Sequence, residues 1–299
     1  MPATMIDGKK IACDIREELK TEVARLTSRG VTPGLGVVLV GDDPASKSYV
    51  TAKERACAEI GLFSDDNRLP ATTSQAELIT LVRRMNADPR IHGILVQLPL
   101  PKHLDESEVL LAIDPDKDVD GFHPANVGRM VVGEKAFLPC TPHGVVQLLA
   151  RSGVKIEGAH VVIVGRSNIV GKPLANMLMQ KGKHANATVT VCHTRTRDIG
   201  YFTRQTDIVV AAAGRPNTIT ADMIREGAVV IDVGVNRVED TSKKQGFRLV
   251  GDVDYENVRQ KASFITPVPG GVGPMTITML LFNTVESARR RLPADGIRI

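Results

Sequence analysis

The sequence predicts an α/β protein of two lobes. Three observations lead there: a chain too long for one core, β-branched runs alternating with helix-length periodic segments, and a glycine-bearing turn after an apolar run in the second half. At 299 residues the chain exceeds the size at which single hydrophobic cores stop growing. The alternation of strand and helix signals marks βαβ units, which carry parallel sheets.

In the first half, strands are expected at residues 35–40 and 92–98. Two helices are expected between them. The first opens at Asp43-Pro44, a side-chain cap followed by proline in the first turn, and stops near Gly61. The second opens at Ser74 with Glu77 three residues on, a capping box, and runs to about Asn86. Thr141-Pro142 repeats the cap-plus-proline signal and starts a helix that closes at Gly153 and leads into a strand at 160–164. A domain boundary is expected there. Beyond it come a glycine turn, helix 170–181, strands 188–192 and 207–212, helix 221–226 and strand 228–233, the rhythm of a dinucleotide fold. A solvated turn follows at 239–246. Prolines and glycines forbid regular structure through most of 267–276, and a last helix over 275–291 returns to the first lobe. The expected division is therefore 1–140, completed by 268–299, and 141–267, with the tail from 292 at the surface.

Composition excludes several classes. With 42% hydrophobic and 24% charged residues, the chain is neither disordered nor fibrous, and its apolar runs are too short to cross a bilayer. The net charge of +4 comes without a dense Lys/Arg block, and the chain has no Trp, so nucleic acid is not an expected partner. Cys13, Cys57, Cys140 and Cys192 are far apart, and no secretory signal precedes the first amphipathic segment, which points to the cytoplasm. No Cys/His spacing suits a metal, and none is expected.

The run Val161-Val-Ile-Val-Gly165-Arg166-Ser167-Asn168-Ile-Val-Gly171-Lys-Pro173 joins a strand to a helix through glycines, so backbone N–H groups and the helix N-terminus can face a phosphate. It departs from G-x-G-x-x-G, with Ser167 where the second glycine stands, and an ordinary strand-to-helix turn has the same outline. After the next strand, Cys192-His193-Thr194-Arg195-Thr196-Arg197 offers hydroxyls and cations but no carboxylate before Asp198. An acid there would grip a ribose 2′-hydroxyl. Its lack, together with the guanidinium fork of Arg166, favours a 2′-phosphate and hence NADP over NAD. Ala213-Gly214 and Asp232-Val-Gly234-Val235-Asn236 follow apolar strands at the sheet edge where such ligands sit, as glycines bordering the nicotinamide or as simple turn punctuation.

In the first half, Tyr49 and Lys53 lie four residues apart on one helix face. Gln97-Leu-Pro99-Leu-Pro101 ends a strand with an amide and prolines, and residues 114–123 form a loop crowded with carboxylates. Tyr49-Val-x-x-Lys53, Gln97-Leu-Pro-Leu-Pro101, Asp118-Val-Asp120-Gly-Phe, Gly165-Arg-Ser-x-x-Val-Gly171-x-Pro173 and Pro267-Val-Pro-Gly-Gly-Val-Gly-Pro-Met-Thr276 occur in that order. In these five segments, over nearly its whole length, the chain resembles the bifunctional methylenetetrahydrofolate dehydrogenase/cyclohydrolase family.

The resemblance implies a folate-binding catalytic lobe completed by the C-terminal helix, a Rossmann-like NADP lobe, and an active-site cleft between the two. It implies oxidation of 5,10-methylenetetrahydrofolate with NADP, hydrolysis of the methenyl product to 10-formyltetrahydrofolate, and a homodimer formed through the cofactor lobe. By the same resemblance Lys53 is the catalytic amine, Gln97 its hydrogen-bonding tuner, Tyr49 a ring stacking on the folate, and Asp120 an anchor for the pterin. Gly165, Arg166, Ser167, Gly171, Thr194 and Val235 are the cofactor residues. Gly270, Gly271 and Thr276 shape the folate pocket. Chemistry makes these roles reasonable: a lysine with a lowered pKa moves protons near neutrality, an amide holds it without neutralising it, and a carboxylate accepts two parallel hydrogen bonds. Two other readings remain, a monofunctional NAD-preferring dehydrogenase and a non-catalytic dinucleotide sensor.

Overall fold

The computed structural model describes residues 2–243 and 246–292. Its elements run β1 (Thr4–Met5), α1 (Gly8–Ser28), β2 (Gly34–Val40), α2 (Pro44–Ile60), β3 (Phe63–Leu69), α3 (Gln75–Ala87) and β4 (Gly93–Val96). Next come α4 (Glu106–Ala112), α5 (Pro124–Val132), α6 (Cys140–Arg151), β5 (His160–Val164), α7 (Gly171–Met179), β6 (Thr188–Cys192), α8 (Ile199–Thr203) and β7 (Ile208–Ala211). A 3-10 turn at Ala221–Met223 precedes β8 (Val229–Asp232), β9 (Asn236–Glu239), β10 (Phe247–Val250), α9 (Tyr255–Val258), β11 (Phe264–Ile265) and α10 (Val272–Arg290). None of the described helices is long and apolar enough to cross a membrane.

The chain divides into two compact units. One holds residues 14–140 and the stretch from 277 onward, around a three-stranded sheet; the other holds the N-terminus to residue 13 and residues 141–276, around a six-stranded sheet. The first thirteen residues and 268–276 thus group with the large sheet. The cause is local. β1 pairs in parallel with β11, Thr4 opposite Phe264, and Lys9 N–H donates to Gly270 O at 3.1 Å. A two-residue strand carries no periodicity from which this could be foreseen.

In the small-sheet unit the order β3-β2-β4 is wholly parallel, and every residue of β2 is buried. Helix α2 starts where the side-chain cap lies: Asp43 Oδ1 accepts the Ser46 N–H at 2.8 Å, Pro44 follows, and Gly61 closes the helix at φ 82°. Helix α3 has the reciprocal capping box between Ser74 and Glu77. Leu78, Val82 and Met85 of α3 pack with Val38, Ile94 and Val96 of the sheet, and truncating Leu78 to alanine would cost about 2–5 kcal/mol. Further along the chain, Asn283 Nδ2 of α10 donates to Val119 O (2.8 Å) and Leu138 O (2.9 Å), while Ser287 Oγ donates to His92 O (2.7 Å). The end of α10 therefore fixes the loop on which Asp120 stands.

The large sheet has the order β1-β11-β8-β7-β5-β6, all parallel. β6 lies on one side of β5 and β7 on the other, so the order reverses at the carboxyl end of β5, where an open α/β sheet receives its ligand. Two expectations need correction. The helix expected at 221–226 is only the 3-10 turn; Ile224 is already extended and Gly227 follows at φ 77°, leaving too few residues to nucleate a helix. The turn expected at 239–246 lies between the antiparallel strands β9 and β10, where Arg237 sits over the Phe247 ring at 4.8 Å; residues 244–245 lie outside the described residues. Helix α6 begins at Cys140, so Thr141 lies inside it and not at its cap. The tail 293–299 lies outside the described residues.

Candidate active site

Lys53 sits mid-way along α2 with 6% of its surface exposed. Its Nζ donates to Gln97 Oε1 at 2.9 Å. Gln97 follows β4, its backbone N–H bonded to Val38 O at 2.9 Å, and its Nε2 donates to Leu98 O at 2.7 Å. That second bond fixes which end of the amide is which, leaving the oxygen to face the amine. No carboxylate among the described residues pairs with Lys53. Burial pushes its pKa below the usual lysine range, against an upward pull from Asp120 and smaller ones from Cys140 and Cys57.

Asp120 is half-buried on the loop after β4. Burial pushes its carboxyl up to about 6, the Lys53 charge opposes that, Asp118 adds to it, and a hydrogen bond with the Cys140 thiol lowers it. Burial and the Asp120 charge together raise the Cys140 thiol well above its ordinary value. Amine and carboxyl are thus both driven toward neutrality by burial, and each charge holds the other back. Two residues earlier, Asp118 is used quite differently. Its Oδ1 accepts the N–H groups of Gly121 (3.1 Å) and Phe122 (3.3 Å), and its Oδ2 those of His123 (2.8 Å) and the Asn126 amide (2.9 Å). Tyr49, one helical turn before Lys53, is 40% exposed, leaving its ring open to a ligand.

In the large-sheet unit, Gly165 has φ 141°, and a side chain there would overlap Ala212 O; one at Gly171 would overlap Gly165 O. Only glycine lets these backbone segments close on each other. Ser167 Oγ accepts the Val170 N–H at 3.1 Å, steadying the entry to α7, and Lys172 Nζ clips the turn through Asn168 Oδ1 at 2.6 Å. Arg166 is exposed and pairs with no carboxylate among the described residues. Thr194 stands exposed on a turn closed by Thr196 N–H to His193 O at 2.8 Å. Asp198 is spent on capping α8, accepting Tyr201 N–H at 3.0 Å. Val235 is 51% exposed, directly after Gly234. A glycine cradle, the Arg166 guanidinium with no carboxylate partner among the described residues, and the exposed Thr194 hydroxyl fit a dinucleotide carrying a 2′-phosphate.

Two family models match the chain: the catalytic domain of tetrahydrofolate dehydrogenase/cyclohydrolase over residues 6–120 and its NAD(P)-binding domain over 139–292. The chain belongs to the tetrahydrofolate dehydrogenase/cyclohydrolase family. It is 62% identical over 289 residues to the bifunctional protein FolD of Syntrophus aciditrophicus, covering 97% of this chain and 98% of that one. To its counterpart in Moorella thermoacetica it is 60% identical, covering 97% and 100%. Among solved structures, the Trypanosoma brucei methylenetetrahydrofolate dehydrogenase-cyclohydrolase, complexed with NADP cofactor and inhibitor, superposes with a TM-score of 0.93 at 43% identity, covering 98% and 100% of the two chains. The Campylobacter jejuni enzyme gives 0.91 at 50% identity, covering 97% and 100%.

Within this family frame, the structure brings Lys53, Gln97 and Asp120 together in the small-sheet unit and groups Gly165, Ser167 and Gly171 around one turn in the large-sheet unit. Gly270, Gly271 and Thr276 also fall in the large-sheet unit, where the Thr276 and Thr141 hydroxyls meet at 2.9 Å. Asp118 was quoted in a motif without a role, and Asp252 was not singled out. The signal that could have found Asp252 is a carboxylate set among apolar residues, Leu249-Val-Gly-Asp252-Val, which must meet donors when it is buried; within the acid-rich loop 114–123 nothing local sets Asp118 apart from its neighbours. Among the described residues no group of three or more His, Cys, Asp or Glu side chains is arranged to hold a metal.

Proposed function

We propose that this chain oxidises 5,10-methylenetetrahydrofolate to 5,10-methenyltetrahydrofolate with NADP and hydrolyses that product to 10-formyltetrahydrofolate. The observation that carries the reading is the buried Lys53 amine held by an amide at 2.9 Å, with a half-buried carboxyl in its field. Bound NADP supplies the hydride acceptor for the first step, which asks of the protein chiefly alignment. Gly165 and Gly171 bring backbone N–H groups to the phosphates, Ser167, Arg166 and Thr194 take the 2′-phosphate, and Val235 borders the nicotinamide.

Hydrolysis needs protons moved. Water adds to the methenyl carbon and loses one proton to solvent; as the bond from that carbon to N5 breaks, the resulting hydroxyl gives up its proton to become the formyl oxygen and N5 gains one, so one proton is released overall. Lys53 carries the proton between them, and its depressed pKa brings that exchange toward neutral pH. Gln97 orients the amine without fixing it in the charged form, as a carboxylate partner would. Asp120 accepts paired hydrogen bonds from the amino-pyrimidine edge of the pterin, and Tyr49 stacks on the folate. Gly270, Gly271 and Thr276 are assigned to folate binding by the family's pattern.

We place the protein in the cytoplasm as a homodimer. Four free cysteines, three of them buried, suit a reducing compartment. The dimer rests on family resemblance, and sedimentation equilibrium tests it. For the activity, the test is to supply methylenetetrahydrofolate with NADP or NAD while following reduced cofactor and the methenyl chromophore. The expected result is faster reduction of NADP than of NAD, with methenyl product that forms and then decays. Reduction without decay would leave a monofunctional dehydrogenase, and no turnover would leave a dinucleotide sensor.

A further inference from the structure

The loops after β7 and β8 carry Gly214 and Val235, and neither has regular structure to hold it. Two buried carboxylates hold them instead. Asp252, 0% exposed, accepts the N–H groups of Ala213 (2.6 Å) and Gly214 (2.8 Å) on Oδ2 and the Asn236 amide (2.8 Å) on Oδ1. Asp232, 3% exposed, accepts the N–H groups of Gly234 and Asp252, both at 2.9 Å, on Oδ1 and that of Val253 (2.9 Å) on Oδ2. The first carboxylate thus spans both loops, and the second seats the first. Gly234 and Gly251 make the approach possible, since a side chain at Gly234 would overlap the Asp252 carboxylate and one at Gly251 the Asp232 carboxylate.

We propose that Asp252, seated by Asp232, is a positioning residue for NADP: it locks Ala213-Gly214 to Asn236, and so sets the loop on either side of the nicotinamide. This rests on the dehydrogenase reading above. Six donors converge on four carboxylate oxygens that can only accept, so each donor is satisfied in one arrangement of the loops and left buried without a partner in others. Neither carboxylate touches the cofactor; the effect passes through Gly214 and Val235.

The two activities separate this role from a merely structural one, because hydrolysis of methenyltetrahydrofolate consumes no NADP. In the full chain, Asp252→Ala is expected to raise KM for NADP about tenfold, through loss of three buried hydrogen bonds, while hydrolysis measured without NADP changes less than about twofold. Asp252→Asn keeps an oxygen toward Ala213 and Gly214 and can meet a flipped Asn236 amide, so it is expected to recover most of the NADP affinity. Asp232→Asn recovers little, because its NH₂ group must face a backbone N–H on one side or the other. Unchanged KM for NADP in Asp252→Ala, with the wild type active, overturns the proposal. So does loss of both activities in all three variants, which would make the carboxylates supports of the whole unit. A wild type without NADP-dependent turnover would instead refute the dehydrogenase reading itself.

Discussion

In the large-sheet unit Asp232 meets three backbone N–H groups, whereas in the small-sheet unit Asp120 meets one thiol and the field of an amine. Burial lifts both carboxyls to about 6. What opposes burial differs. For Asp232 it is chiefly backbone hydrogen bonds, which do not titrate; for Asp120 it is first the Lys53 charge, which does. The first carboxyl is a fixed part of the fold, and the second answers to a neighbour's protonation and has capacity left for a ligand. Asp118 shows the same contrast within one loop, since it is saturated by four donors two residues from Asp120.

The largest break in this comparison is expected from Lys53→Met, which keeps length and removes the proton carrier. Decay of the methenyl chromophore should slow by about 10²- to 10⁴-fold with folate binding retained, and wild-type decay would refute the role. Asp118→Ala should act on the fold, leaving buried N–H groups of the 121–123 turn without an acceptor. A loss of about 3 kcal/mol in urea unfolding is expected, and a loss below about 0.5 would show that the saturation is unimportant. Arg166→Ala should weaken NADP by about tenfold and leave NAD nearly unchanged, as isothermal titration can show; equal losses would remove the 2′-phosphate assignment. The smallest effect concerns pH. Asp120 is ionised above about 6, so KM for the folate should rise a few-fold, on the order of threefold, as pH falls through that value, and Asp120→Asn should abolish the rise. A folate KM with the same pH dependence in both proteins would assign the titration elsewhere.

Short-range chemistry was legible in the sequence. The caps at Asp43 and Ser74, the buried run of β5 and the β-branched run of β6 act over a few residues, so their elements appear close to where they were expected. Strand β3 was not, because Phe-Ser-Asp-Asp-Asn-Arg-Leu lacks the apolar alternation of a strand and is held by its long pairing with β2. The helix signal at 221–226 stops at a one-turn stub because Gly227 and the Thr220–Asp222 bond end it, and the pairing of β9 with β10 around the turn has no local signal, resting on contacts such as Arg237 over Phe247. At the sites, Lys53, Gln97 and Asp120 were found through motifs, not spacing, since 44 residues separate the amine from the amide that orients it. Asp252 escaped for the same reason: its partner loop lies 38 and 39 residues away, and only the fold reveals that its carboxylate is full.

The pKa of Lys53 itself tests the account most directly, through NMR of its ε-carbon across a pH titration of the intact chain and of Asp120→Asn. The account predicts a midpoint below the ordinary lysine value of about 10.4, and a lower one still in Asp120→Asn, where the charge that favours the ammonium form is gone. A midpoint at or above the ordinary value, unmoved by that substitution, would contradict it.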